Sequence, residues 1–337
     1  RDIVRRPGVF GQARRRPSAL GRQAVTLLLE GASDLRDERL APVSGSEPVT
    51  PPSPRRAVWM IAVWLVVLVL GSGLVVYGFG PLFQQRQQHR LLGGYRLAVS
   101  RASNESSGLF GVEVPTKAPE PGSAVGILEV GRLSIQQVVV EGVGSSQTRA
   151  GPGHVPGTAG PGQPGNSVIV GRAHAFGQPF GEIAKMRRGN EVLVTTTQGQ
   201  SVYVVDSVRH VTMSSAHRMD EIYGPSKDDR LTLITSSSAV PWNSDAAVVV
   251  VAKMQTVPFA QTPQGGRTSA QTGLGGDSGA VASVLLALGL YAGIMAGGVY
   301  IYRRFSLTSA YVLTIAPAAA ATVIAAETLS RLLPAWM

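Results

Sequence analysis

Hydrophobic and polar positions divide this chain into two kinds of territory. Residues 57–83 (AVWMIAVWLVVLVLGSGLVVYGFGPLF) carry no charge at all, a run longer than the roughly 20 residues needed to cross hydrocarbon. Two further uncharged runs, 279–302 and 305–326, follow late in the chain. The second of these contains Pro317 and gives way to Glu327 and Arg331. Together they predict three transmembrane helices, at 57–83, 279–302 and 305–333. Between the first and second, over 123–255, the period changes. Short β-branched or alternating runs at 125–130, 133–140, 167–170, 191–197, 201–211, 231–235 and 247–252 are separated by Gly and Pro, as half-buried and buried strands are. Seven or more strands in this length predict an all-β closed barrel or sandwich. Gln198-Gly199 marks a tight hairpin. Residues 180–186 and 219–223 suit one or two helical turns.

The remaining segments are polar. Residues 1–56 are rich in Arg, Pro, Ser and Gly and read as a disordered cytoplasmic tail, with a short helix conceivable over 23–30. Residues 84–122 read as a stalk outside the membrane whose start continues the helix briefly. Residues 256–278 read as a flexible linker.

Charge adds orientation. The net charge of +10 includes eleven arginines within residues 1–56. Positive flanks of membrane segments explain that excess as well as nucleic acid does, so no nucleic-acid partner is expected. With the arginine-rich tail inside, the first span exits and the second returns. Arg303 and Arg304 then fall in the cytoplasm, as positive flanks should. The barrel is expected on the outer face of the plasma membrane, and the third span would leave Trp336 at the outer interface. Gly289, Gly293 and Gly297 share one helix face at four-residue spacing, which permits close helix packing. That face could join spans two and three, or a membrane-protein partner.

The chain has no cysteine, which excludes disulfides, thiolate nucleophiles and Cys-ligated metals. His154, His210 and His217 lack metal-ligand spacing, and GPGHVPGTAGPGQPG lacks the lysine of a phosphate-binding loop. Neither a cofactor nor a metal is expected.

Four stretches in order, GILEVGRLSIQQVVVEGV, GPGHVPGTAGPGQPGNSVIVG, FGQPFGEIAKMRRGNEVLVTTTQGQSVYVV and LTLITSSS, resemble the sortases, membrane-anchored transpeptidases of Gram-positive bacteria. The actinobacterial, class E/F-like type with an N-terminal anchor is the nearest in character. The resemblance covers about 130 residues and implies the eight-stranded sortase β-barrel. It also implies where the reactive groups should stand. The catalytic cysteine that ends the family's LTLiTC strand falls on Ser236. The catalytic histidine after the family's iaG falls on Arg172. The arginine of the last strand falls near Ala247. All three differ, which implies a pseudoenzyme that keeps the scaffold.

A serine hydroxyl needs a strong base beside it, and a guanidinium cannot be one. His174, two residues beyond Arg172 and on the same side of an extended segment, is the substitute base, with Asp245 as a potential orienting group. Otherwise His174 is an ordinary loop histidine. Arg172 would either bind a carboxylate, phosphate or lipid headgroup in the old cleft, or be a solvated surface charge. Three functions follow. One is a non-catalytic binding or scaffolding module holding a peptide or cell-wall ligand in the groove. The second is a serine acyltransferase or hydrolase using Ser236 and His174. The third is an accessory subunit of a membrane complex.

Overall fold

A computed structural model describes residues 54–106, 114–213, 216–238, 246–266, 278–305 and 307–336. The expected tail up to residue 53, the linker from 267 to 277 and Asp245 lie outside them.

The β-rich region closes into a barrel of eight strands. These are β1 (Ala124–Val130), β2 (Ile135–Glu141), β3 (Gly153–His154), β4 (Asn166–Val170), β5 (Glu191–Thr196), β6 (Gly199–Thr212), β7 (Arg230–Ser236) and β8 (Ala246–Met254). Their order around the barrel is β1-β2-β3-β4-β7-β8-β6-β5. The β2–β3 and β4–β7 pairs are parallel and the rest antiparallel. Seven strands grow from the seven hydrophobic runs. The eighth, β3, has only two residues and sits inside the Gly/Pro stretch that reads as loop. The β5–β6 hairpin also turns one residue earlier than its Gln198-Gly199 signal. Thr196 pairs with Gly199, so Thr197 and Gln198 make the turn.

Successive side chains of a strand face opposite ways, and here both faces are apolar. Ile169, Leu231, Leu233, Val248 and Val250 point into the barrel, where Phe180, Ile183 and Tyr203 complete the core. Val168, Val170, Ile234, Ala247, Val249 and Val251 point outward and form a second buried cluster with Val143, Val155, Met213, Ile222 and Tyr223. A sheet apolar on both faces must be covered on its outside. That need creates the groove discussed below.

The first apolar segment is one continuous helix. It comprises α1 (Pro54–Gly73), a π-helical stretch (Leu74–Phe79) and α2 (Gly80–Ser106). The expected stalk is therefore helical through Ser106, and it lies against the barrel. Gln88 Nε2 donates to Val138 O (3.2 Å) and Ala150 O (2.6 Å), and its Oε1 accepts from Val138 N (2.7 Å). Tyr95 OH donates to Val125 O (2.8 Å), and its ring packs with Ile127 and Val138. Glutamine and tyrosine make this contact, so the QQRQQHR start looks solvent-exposed in the sequence.

Two short helices follow, α3 (Ser145–Ala150) and α4 (Ala216–Tyr223), and the end of α4 joins the outer cluster through Ile222 and Tyr223. The last two long helices, α5 (Val281–Arg304) and α6 (Leu307–Ser330), pack on each other and on α1. Tyr291 OH donates to Trp64 O (2.6 Å). Three helices are thus long and apolar enough to cross a membrane. A Cβ added at Gly289, Gly293 or Gly297 meets nothing within 4 Å among the described residues. Spans two and three do not pack through these glycines. Gly298, one position on, faces Thr314 instead. α6 ends at Ser330, and the chain then turns into the barrel. Trp336 is fully buried there, not exposed at a membrane interface.

Candidate functional site

β4 and β7 run side by side and end together. Their register, Val170 beside Ile234, sets Gly171 and Arg172 next to Thr235 and Ser236. Thr235 Oγ1 donates to Gly171 O (2.8 Å) and Gly171 N to Ile234 O (3.0 Å), which locks the two strand ends. A Cβ on Gly171 would fall 2.4 Å from the Phe180 ring, so only glycine lets that ring cap the core. At the other end of β4, Asn166 Nδ2 donates to Ile222 O (2.8 Å) and Gly224 O (3.0 Å), and Thr232 Oγ1 donates to Asn166 Oδ1 (2.7 Å). These bonds fix the wall carrying Ile222 and Tyr223. The groove floor is therefore the outer face of β4, β7 and β8.

Ser236 and Ala247 face each other across β7 and β8 and both are buried at the end of this floor. Ser236 Oγ accepts from Ser238 N (3.2 Å). That is a local turn in which the hydroxyl serves the backbone. His174 is exposed, and its Nε2 donates to Ser238 O (3.0 Å). Histidine and serine are thus neighbours, but the hydrogen bonds of both rest on Ser238's backbone. No hydrogen bond joins the imidazole to the hydroxyl among the described residues. Ala247 contributes a methyl group to the groove cluster.

Arg172 corrects both expectations made for it. It is neither solvated nor presented to the groove, because its side chain is fully buried. Nη2 donates to Ser145 O (3.1 Å) and Ser145 Oγ (2.9 Å), and the guanidinium lies 5.0 Å from the Phe176 ring centroid. Burial, and then the Arg149 charge, push it down from the usual arginine range to about 9. Ser145 Oγ in turn donates to Ser330 O (3.1 Å). The position expected for a catalytic base instead ties the barrel to the end of α6. The turn that follows is strained, since Phe176 (φ 50°) and Gln178 (φ 52°) both adopt left-handed backbone, at an order of 1–3 kcal/mol each. Packing of Phe176 on Val76 of the π-helical stretch holds it there. Gly177 (φ 78°) comes so close to Gln84 that a Cβ would overlap its Oε1.

A second buried polar cluster escaped sequence reasoning. His154 Nδ1 meets Glu141 Oε2 at 2.7 Å, and its Nε2 lies 2.9 Å from Ala159 O and 3.1 Å from Thr158 Oγ1. The β2–β3 register, Glu141 beside His154, makes the pair, and neither side chain is exposed. No separation in sequence announces it, because β3 was invisible.

With the closed strand order and the parallel β4–β7 pair established, one comparison bears on the family. Residues 128–255 match the family model of the sortase domain. The barrel is a sortase domain. β7, whose last residue is Ser236, lies within the matched range. Similar solved structures include a Clostridium perfringens sortase D5 transpeptidase, at 18% identity and a TM-score of 0.42, covering 51% of this chain and 99% of that one. Sortase E from Streptomyces avermitilis is 27% identical with a TM-score of 0.35, covering 41% and 93%. Clostridium perfringens sortase C with the C-terminal cell wall sorting motif is 16% identical with a TM-score of 0.38, covering 51% and 89%. Among curated proteins, none matches the chain.

Proposed function

We propose that this chain is a membrane-anchored sortase-like pseudoenzyme. In this proposal its groove binds a peptide or cell-wall ligand without cleaving it. The observation that carries the reading is the hydrogen bonding of Ser236. Its hydroxyl accepts from Ser238 N, with the imidazole of His174 directed at a carbonyl and the Arg172 guanidinium buried on Ser145. A hydroxyl becomes a useful nucleophile only with a base in reach. What survives is an apolar floor with backbone donors at its end, which is enough to hold a ligand. The plasma membrane, with the barrel outside, remains the location that charge patterning supports.

A serine-reactive fluorophosphonate probe tests the reading on the full chain in detergent. No labelling above a Ser236→Ala control is expected, and no turnover of sorting-signal peptides with an amine acceptor. Labelling lost in both Ser236→Ala and His174→Ala would establish the serine acyltransferase instead.

A further inference from the structure

The groove is already filled. Ser330, the last residue of α6, is pinned by Ser145. Six residues beyond it, within the roughly 20 Å that such a length can span, lies Trp336. Pro334, Ala335 and Trp336 are all buried, the last two completely. The indole belongs to the apolar cluster formed by the groove floor of β4, β7 and β8 with Ile222 and Tyr223 of the wall. Its carbonyl oxygen accepts two backbone hydrogen bonds, from Ala173 N (3.0 Å) and from Ser236 N (3.4 Å). These donors flank the strand end where a sortase would carry its nucleophile. Two backbone N–H groups converging on one carbonyl resemble the donor pair of an oxyanion-type site, with the Ser236 bond the longer of the two. Here the carbonyl belongs to the chain itself.

We infer that residues 332–336 are a built-in ligand of the groove, which any outside peptide must displace. This deepens the proposed function and rests on it. The inference also defines the ligand class: a short apolar segment with an aromatic side chain on the floor and its carbonyl on Ala173 N and Ser236 N. The segment is delivered from a membrane helix, so a competitor that emerges from a neighbouring membrane span would meet the groove at the same height. Self-occupancy lowers apparent affinity by the fraction of time the groove is free, so occupancy of about nine-tenths costs an outside peptide about tenfold.

The test uses the full chain in detergent with Trp59, Trp64 and Trp242 changed to Phe, which leaves Trp336 as the sole tryptophan of four. Its emission should be blue-shifted, and acrylamide should quench it several-fold less than in the free peptide of residues 329–336. Emission and quenching equal to the free peptide, in a chain whose circular dichroism remains folded, would overturn the inference. If the triple replacement misfolds, the difference in quenching between wild type and Trp336→Ala gives the same readout. In a second arm, a fluorescein-labelled peptide of residues 329–336 should bind Trp336→Ala about tenfold or more tightly than wild type. Equal binding to both would also overturn self-occupancy while leaving the groove a binding site. Binding to neither, with a shielded Trp336, would support self-occupancy and defeat the proposed binding function.

Discussion

At position 172 a guanidinium is folded into the protein, where it stacks on Phe176 and donates to Ser145. Burying a charge is costly unless its hydrogen bonds repay it, and the depression to about 9 expresses that cost. The sign of its pH dependence follows. Below about pH 9 the group is charged in both native and unfolded chains, and the penalty is in full force. As pH rises past about 9, the native group loses its proton before the unfolded one does, so folding becomes more favourable. Wild type should therefore gain melting temperature relative to Arg172→Met between about pH 8 and pH 10.5, measured by scanning fluorimetry. A difference that stays flat would place the guanidinium in contact with solvent. The identity of residue 172 was legible from its place after Gly171. Its direction was not, because Ser145 lies 27 positions upstream and Phe176 reaches it only through a left-handed turn.

Among the elements, the helix from Pro54 to Ser106 matters most to the barrel's placement. Gln88 alone makes three hydrogen bonds to β2 and to the end of α3. Truncating it strands backbone groups at a part-buried junction, at about 1–3 kcal/mol. Gln88→Ala should lower the melting temperature, and hydrogen exchange should accelerate first at Val138. Unchanged exchange there would mean the helix does not support β2. The strands were largely readable because valine and isoleucine recur along seven of them at the period of a sheet. β3 was not, because two residues have no period. The length of the helix beyond Phe83 and its docking were not either, because glutamine reads as solvent when its partner is a strand backbone. The glycine face on α5 was visible in the sequence, but nothing in the sequence says whether a neighbour covers it.

For the whole molecule, the arrangement of spans makes a prediction about sides. The end of α2, the start of α5 and the end of α6 should lie with the barrel, and the α5–α6 turn across the membrane from it. The natural absence of cysteine makes this simple to test in intact cells. Gln264→Cys should react with a membrane-impermeant maleimide, and Phe305→Cys should react only after lysis. The reverse pattern would invert the proposed orientation. The barrel's own closure carries a further consequence. Among the described residues every strand has a neighbour on both sides, but β2 and β4 meet only through the two residues of β3, and the β2 edge at Val138 is taken by the Gln88 side chain. A visitor to the groove over β4, β7 and β8 lies on the strand faces and is sorted by the shape of its side groups. Selectivity in such a protein should follow the bulk of one ring more than the length of a backbone, so a change of Ile222 or Val249 in size should alter which peptides are accepted.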